Sequence, residues 1–259
     1  YMINYNLGND LHRTPFGGRN FEYMSECPIL NYLAGAVEVE AMEKTGSHAG
    51  PKHFVGNDQE FYREGLVCFF NEQAFREGNL KAFEGSIRVA NAGGLMQSFE
   101  RLGLKWYSAS YALNTTILRN EWGCDGMVIT DNVLTQYVNG PDGVLAGVSI
   151  YDAMMSFVTD TLPKYKNDPV IVTAMREACH HNLYAIANSC GMNGVGADTT
   201  IKVTRPTVVT MSIIIACAST FFCLLGIVMW IIGGIKFRKT EEYKAYKDFK
   251  KSLKASKKA

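Results

Sequence analysis

Asp131 closes the run Met127-Val-Ile-Thr-Asp131, so a carboxylate stands at the end of an apolar stretch. At the end of a buried strand that group is desolvated, and it stays ionised only where cations or N–H donors compensate. Arg19, Lys52 and His53 are such groups and can converge on Asp131 if their segments end on the same side of a sheet. An ionised aspartate held in this way is a nucleophile suited to the anomeric carbon of a sugar. Arg and Lys also suit sugar hydroxyls, because each presents several charged donors. Spacing alone leaves a second role open, in which Asp131 caps the following helix.

Other reactive residue types carry less. Cys179-His180-His181 mixes metal-ligand types, but neighbours on a helix diverge by about 100° per step, so the run makes a poor site. No metal and no organic cofactor is expected. The seven cysteines, at 27, 68, 124, 179, 190, 217 and 223, form no CxxC pair and no framework spacing. Asn114-Thr-Thr116 is a formal glycosylation sequon, discounted because it lies in a helical pattern.

The elements that must position these groups alternate. Leu80, Phe83, Ile87 and Ala90 recur at helical spacing, which predicts a helix over about 72–91. Leu113, Ile117 and Leu118 predict another over about 109–121. Gly94-Leu-Met-Gln-Ser-Phe99 and Met127–Asp131 read as buried strands, and Val170 to Ser189 as one more helix ending near Gly191. Polar residues sit where the apolar runs end, at Lys52-His53, Ser98-Phe99 and Asp131. The intervals of 46 and 33 residues between them each hold one strand-helix-strand unit. This fits a (β/α) barrel, with chemistry at the carboxyl ends of its strands. A doubly wound open sheet would alternate in the same way, but no GxGxxG or P-loop favours it.

Composition bounds the whole. Of the 259 residues, 47% are hydrophobic and 20% charged, which excludes a disordered or collagen-like chain. The formal charge of +1 conceals a division: residues 236–259 hold ten Lys or Arg and three acids, leaving the rest at −6. A body of that charge is a poor nucleic-acid partner. Val208 to Ile235 contains no Asp, Glu, Lys, Arg or His. As a helix its 28 residues reach about 42 Å, enough for the ~30 Å hydrocarbon core of a bilayer. Eight Lys or Arg follow it within about 20 residues and two, Lys202 and Arg205, precede it. The tail is therefore expected in the cytoplasm and the larger part outside the cell. That tail interleaves lysines with Tyr243, Tyr246 and Phe249, which suits either an anionic lipid surface or plain solvent. The expected organisation is 1–194 as the barrel part, 195–207 as a spacer, 208–235 as a transmembrane helix and 236–259 as a basic tail.

Three segments carry a resemblance. Arg13-Thr-Pro-Phe-Gly-Gly-Arg-Asn-Phe-Glu-Tyr-Met-Ser-Glu26, Lys52-His-Phe-Val-Gly-Asn-Asp-Gln-Glu60 and Glu121-Trp-Gly-Cys-Asp-Gly-Met-Val-Ile-Thr-Asp131 resemble glycoside hydrolase family 3, in that family's order. The resemblance runs from about residue 5 to 194 and covers the later part of the family's N-terminal (β/α)8, TIM-like barrel. It implies a partial barrel fragment followed by one transmembrane helix, from a retaining exo-glycosidase of the β-glucosidase branch. Asp131 matches the nucleophile, and Arg19, Lys52 and His53 match residues that grip the terminal sugar. The Asp-Ser-His loop of the N-acetylhexosaminidase branch is replaced by Gly56-Asn-Asp-Gln-Glu60. Among the substrate-binding positions, Asp10 stands for a usual Asn and Phe99 for a usual Tyr; Asn132 stands where an aromatic residue often follows the nucleophile.

The resemblance implies a β-linked oligosaccharide or β-glycoside as substrate, with the lipid bilayer as the other partner and the oligomeric state left open. In this branch the acid/base is a Glu from a second, α/β domain. The chain opens at Tyr1 in the middle of a pattern, so it is expected to be a fragment, inactive by itself, with that domain upstream of Tyr1. The alternative function is a membrane-tethered glycan-binding protein that kept the sugar grip and lost turnover.

Overall fold

In a computed structural model of the chain, residues 2–133, 138–153, 159–200 and 202–256 are described. Residue 201 of the spacer and the last three residues of the basic tail lie outside them. The chain divides into two compact units, Tyr1–Val195 and Gly196–Ala259.

The first unit is built on short parallel strands. β1 (Ile3–Asn4) and β2 (Gly8–Leu11) are followed by β3 (Tyr23–Ser25), helix α1 (Pro28–Glu43) and β4 (His48–Ala49). β1 pairs in parallel with β4, β2 with β3, and a further bridge joins Gly8 to Lys52. β5 (Val67–Cys68) precedes helices α2 (Glu72–Glu77) and α3 (Asn79–Glu84), then β6 (Gly94–Met96). The chain goes on through β7 (Arg101–Leu102), β8 (Lys105–Trp106), a wide helical segment Ala112–Glu121, β9 (Met127–Ile129) and helices α4 (Gly140–Ala146) and α5 (Pro169–Ala187). β6 and β9 are parallel, and single parallel bridges join Phe54 to Gln97 and Ile129 to Ile150. From residues 3–11 onward, lateral neighbours thus follow sequence order: 3–11, 48–54, 94–97, 127–129, 150. β3 flanks 3–11 on the opposite side.

The strands are short, and side chains fasten them to the helices. α1 starts on Pro28, whose missing N–H costs nothing at a helix start. It buries Asn31, Gly35 and Val39, one stripe at four-residue spacing. A Cβ on Gly35 would collide with Asn9 and Ser86. Asn9 Nδ2 donates to Ala82 O at 3.1 Å and Ser86 Oγ at 2.7 Å, tying β2 to the α3 region. The core joins Phe54, Leu80, Phe83, Ile87, Leu95, Tyr107, Leu113, Leu118 and Val128, which includes the helical stripes read from the sequence.

The expected helix over 72–91 is interrupted. Asn71 caps α2 by accepting from Ala74 N at 2.7 Å, and the helix stops at Gly78. A Cβ there would meet Ala74 O at 2.7 Å, so only glycine fits the break. α3 then widens into a looser turn over Gly85–Val89. Asn114 is fully buried and bonded to Gln97 and to Tyr107 O, so its sequon is closed to modification. Arg119, half-buried, donates to Cys124 O and Gly126 O and sets the turn that leads into β9.

The second unit contains helix α6 (Thr207–Phe237) and helix α7 (Glu241–Ser256). α6 has 31 residues and a window of mean hydropathy 2.4. It is long and apolar enough to span a membrane. Its Ser212 and Thr220 hydroxyls donate to Val208 O and Ala216 O one turn back, so they leave no unpaired donor in an apolar surrounding.

Candidate active site

The end of β9 and the segments after β2 and β4 bring the singled-out residues together. Asp131 lies just past β9, and its Oδ2 is 3.5 Å from His53 Nε2. The Lys52–His53 and Phe54–Val55 peptide bonds are cis. Arg19 Nη2 approaches His53 Nε2 at 3.3 Å, and Arg19 Nε also meets Glu22. Lys52 Nζ is 3.4 Å from the other Glu22 oxygen. His53 and Arg19 thus lie beside Asp131, and Lys52 joins Arg19 through Glu22. Residues 134–137, where the capping alternative would act, lie outside the described residues that surround Asp131. Its Oδ1 accepts from Asn132 N at 2.7 Å, while Asn139 caps α4 by accepting from Asp142 N.

Electrostatics follow from burial. Desolvation pushes the Asp131 carboxyl up, and the Asn132 N–H, Arg63 and Arg19 oppose it. Burial also holds His53 well below the usual imidazole range, reinforced by Arg19, Lys52 and Arg63. His53 is thus neutral and carries one ring N–H. Nε2 faces Arg19 Nη2 at 3.3 Å and Asp131 Oδ2 at 3.5 Å, and Nδ1 lies 2.9 Å from Tyr23 Oη. Asn57 Nδ2 donates to the same Tyr23 oxygen at 3.0 Å. The ring is held edge-on by a fixed network.

Asp10 and Phe99 sit differently from the other expected sugar contacts. Asp10 is fully buried, and its two oxygens accept from Leu11 N at 2.9 Å and Asn57 N at 2.7 Å. Burial raises its carboxyl to about 7, and nearby Asp58 adds to the rise. Its present bonds fasten β2 to the loop at 56–57. Phe99 is 1% exposed and packs with Val133 and Val138. The Arg63 guanidinium stacks on its ring, 3.6 Å from the centroid.

Four residues of this cluster were not singled out in the sequence. Glu22 links Arg19 to Lys52, Tyr23 orients His53, Arg63 covers Phe99, and Glu60 joins the two arginines. Glu60 Oε1 lies 3.4 Å from Arg19 Nη1 and 3.0 Å from Asn57 Nδ2, and Oε2 lies 2.8 Å from Arg63 Nη1. Three-residue spacings, Arg19–Glu22 and Glu60–Arg63, are the signal that could have found three of them.

The model of the glycosyl hydrolase family 3 N terminal domain matches residues 9–145, more than half of the chain. The chain belongs to glycosyl hydrolase family 3. This family 3 chain is 40% identical over 124 residues to a β-glucosidase of Ruminococcus albus, across 48% of the chain and 13% of that protein. It superposes with TM-score 0.67 and 26% identity on β-glucosidase 3B of Thermotoga neapolitana in complex with glucose, across 73% of the chain and 27% of the other. A β-glucosidase of Paenibacillus barengoltzii gives 0.66 and 31% identity, across 77% and 23%. The family 3 chain thus spans well under a third of these relatives.

Proposed function

We propose that this chain is the later part of a (β/α)8 barrel from a retaining β-glycosidase, with Asp131 as nucleophile. The observation that carries this is the approach of His53 Nε2 to Asp131 Oδ2 at 3.5 Å, at the end of β9, with Arg19 and Lys52 alongside. The succession of parallel neighbours from 3–11 to 150 fits consecutive barrel strands, with β3 lying beside 3–11 on the other side. Asp131 attacks the anomeric carbon, the glycosidic C–O bond breaks, and a glycosyl ester forms on Oδ. Water then hydrolyses that ester with overall retention. Arg19 and Lys52 donate to hydroxyls of the terminal sugar, and neutral His53 adds a directional contact. The departing oxygen takes its proton from a second carboxyl group, about 5–5.5 Å from the nucleophile in retaining enzymes. We assign that group to the family's second domain. Glu60 is the acid nearest in the network, and both its oxygens are already engaged by Arg19, Asn57 and Arg63.

The substrate class is a terminal β-linked glucoside, by analogy with the named relatives. α6 is read as a single membrane span, with residues 1–194 outside the cell and the basic tail inside.

Hydrolysis of an aryl β-glucoside by the intact protein tests the enzyme reading. Asp131→Asn is expected to lower kcat/KM on the order of 10⁴-fold, with glucoside binding retained. Equally slow phenol release by the unaltered protein and the variant, both still binding sugar, overturns the enzyme and establishes the glycan-binding alternative.

A further inference from the structure

We propose that α7 lies along the membrane surface, with its aromatic and lysine sectors bound to anionic phospholipid headgroups. This rests on the reading that α6 spans a bilayer. Arg238, Lys239 and Thr240 alone separate the two helices, a link of about 10 Å at full stretch. Even these residues stay in turns: Arg238 N bonds Gly234 O at 3.1 Å and Thr240 N bonds Phe237 O at 3.0 Å. The Phe237 and Tyr243 rings meet edge-on across the link, with centroids 5.7 Å apart. α7 therefore begins where the bilayer ends, and its first turn stays within reach of the headgroups. So short a tether gives the helix a high effective concentration at the headgroups, and weak contacts then suffice.

The faces of α7 decide what it meets. Tyr243, Tyr246 and Phe249 recur every three residues and share one side. Tyr246 is 54% exposed and Phe249 63%, so the chain itself does not cover them. Lys247, Lys250 and Lys251 occupy the adjoining sector, and Lys250 Nζ lies 5.8 Å from the centre of the Tyr246 ring. Glu241 and Asp248, seven residues apart, lie together on the side away from both, while Glu242, in the first turn, falls on the aromatic side. An acidic soluble protein would pair with the lysines and leave the rings wet. An anionic leaflet takes both, because aromatic rings settle at headgroup depth and lysines pair with phosphate and serine carboxylate groups.

A 16-residue helix is marginal in water by itself, so surface binding must also protect its amides. Amide hydrogen exchange of residues 241–252 is measured in the intact protein reconstituted into phosphatidylcholine vesicles with or without phosphatidylserine. Exchange is expected to slow roughly tenfold with phosphatidylserine and to lose that protection in ~1 M salt. Charge reversal in a Lys247→Glu, Lys250→Glu, Lys251→Glu variant is expected to abolish the difference while the span stays inserted. Equal exchange in both vesicle types, in protein that resists alkaline carbonate extraction, overturns this proposal alone. Release by carbonate overturns the membrane span beneath it.

Discussion

Arg63 is the most exacting single residue of the cluster. Its guanidinium stacks on Phe99, bonds Glu60 at 2.8 Å and opposes the upward shift of Asp131. The resemblance places Phe99 where a Tyr hydroxyl is usual. Here the bare ring instead supports a cation whose charge favours ionised Asp131. Arg63→Met keeps the stem and removes the charge. It is expected to lower kcat/KM of the intact protein roughly 10- to 100-fold and to move the acid limb of its pH profile upward. An unchanged acid limb would show that Arg63 acts only through packing. Lys52, His53 and Asp131 were legible at this scale because they sit where apolar runs end, and Arg19 because it is a cation within a quoted motif. Glu22, Tyr23 and Glu60 lay within the quoted motifs, yet their roles depend on partners up to 41 positions away, as in Glu60–Arg19.

Two contacts hold the elements that carry the site. Glu43, at the end of α1, accepts from Ala49 N and Gly93 N and pairs with His48 Nδ1 at 2.7 Å; His48 Nε2 donates to Ala185 O of α5. One carboxylate and one imidazole thus join α1, β4, the approach to β6, and α5. The Glu43 hydrogen bond raises His48 above its usual value, with burial opposing. Burial raises Glu43, but the bonds from His48, Gly93 and Ala49 outweigh it and the net shift is downward. The His48 contribution is complete below pH 6.5 and fades as pH rises through its folded value; that of Glu43 is complete above 4.5 and fades as pH falls through its own. Stability from the pair is therefore greatest between about pH 4.5 and 6.5. Glu43→Gln is expected to cost about 1–2 kcal/mol in that window and less at pH 8, read from thermal melts of the intact protein. A loss that does not vary with pH would rule out the charged pair. Gly35→Ala tests the other contact, α1 against β2. The added methyl meets Asn9 and Ser86, and a loss of about 1–3 kcal/mol is expected in denaturant titration. No loss would mean that the stripe can separate freely.

For the whole molecule, the division at residue 195 separates a folded unit from a long apolar helix and a basic one. Protease added outside intact cells is expected to digest the first unit and spare a tag at the end of the tail. Digestion of the tag with protection of the first unit would reverse the proposed orientation. The chain covers 13% of the R. albus relative and 27% of the T. neapolitana one.

Local pattern alone determined the apolar 28-residue run, the charge division around it, the amphipathic stripes and the strands that end at Lys52 and Asp131. Each of these is a property of neighbours in sequence, which periodicity and composition report directly. The tertiary structure alone decided that Gly78 breaks the first helix, that Asp10 turns to backbone N–H groups, and that Arg63 stacks on Phe99. It also decided that the His53 ring lies between Tyr23 and Arg19. Those outcomes depend on which distant groups share a desolvated space. No window of sequence records that, because burial and pairing arise only once the strands lie side by side.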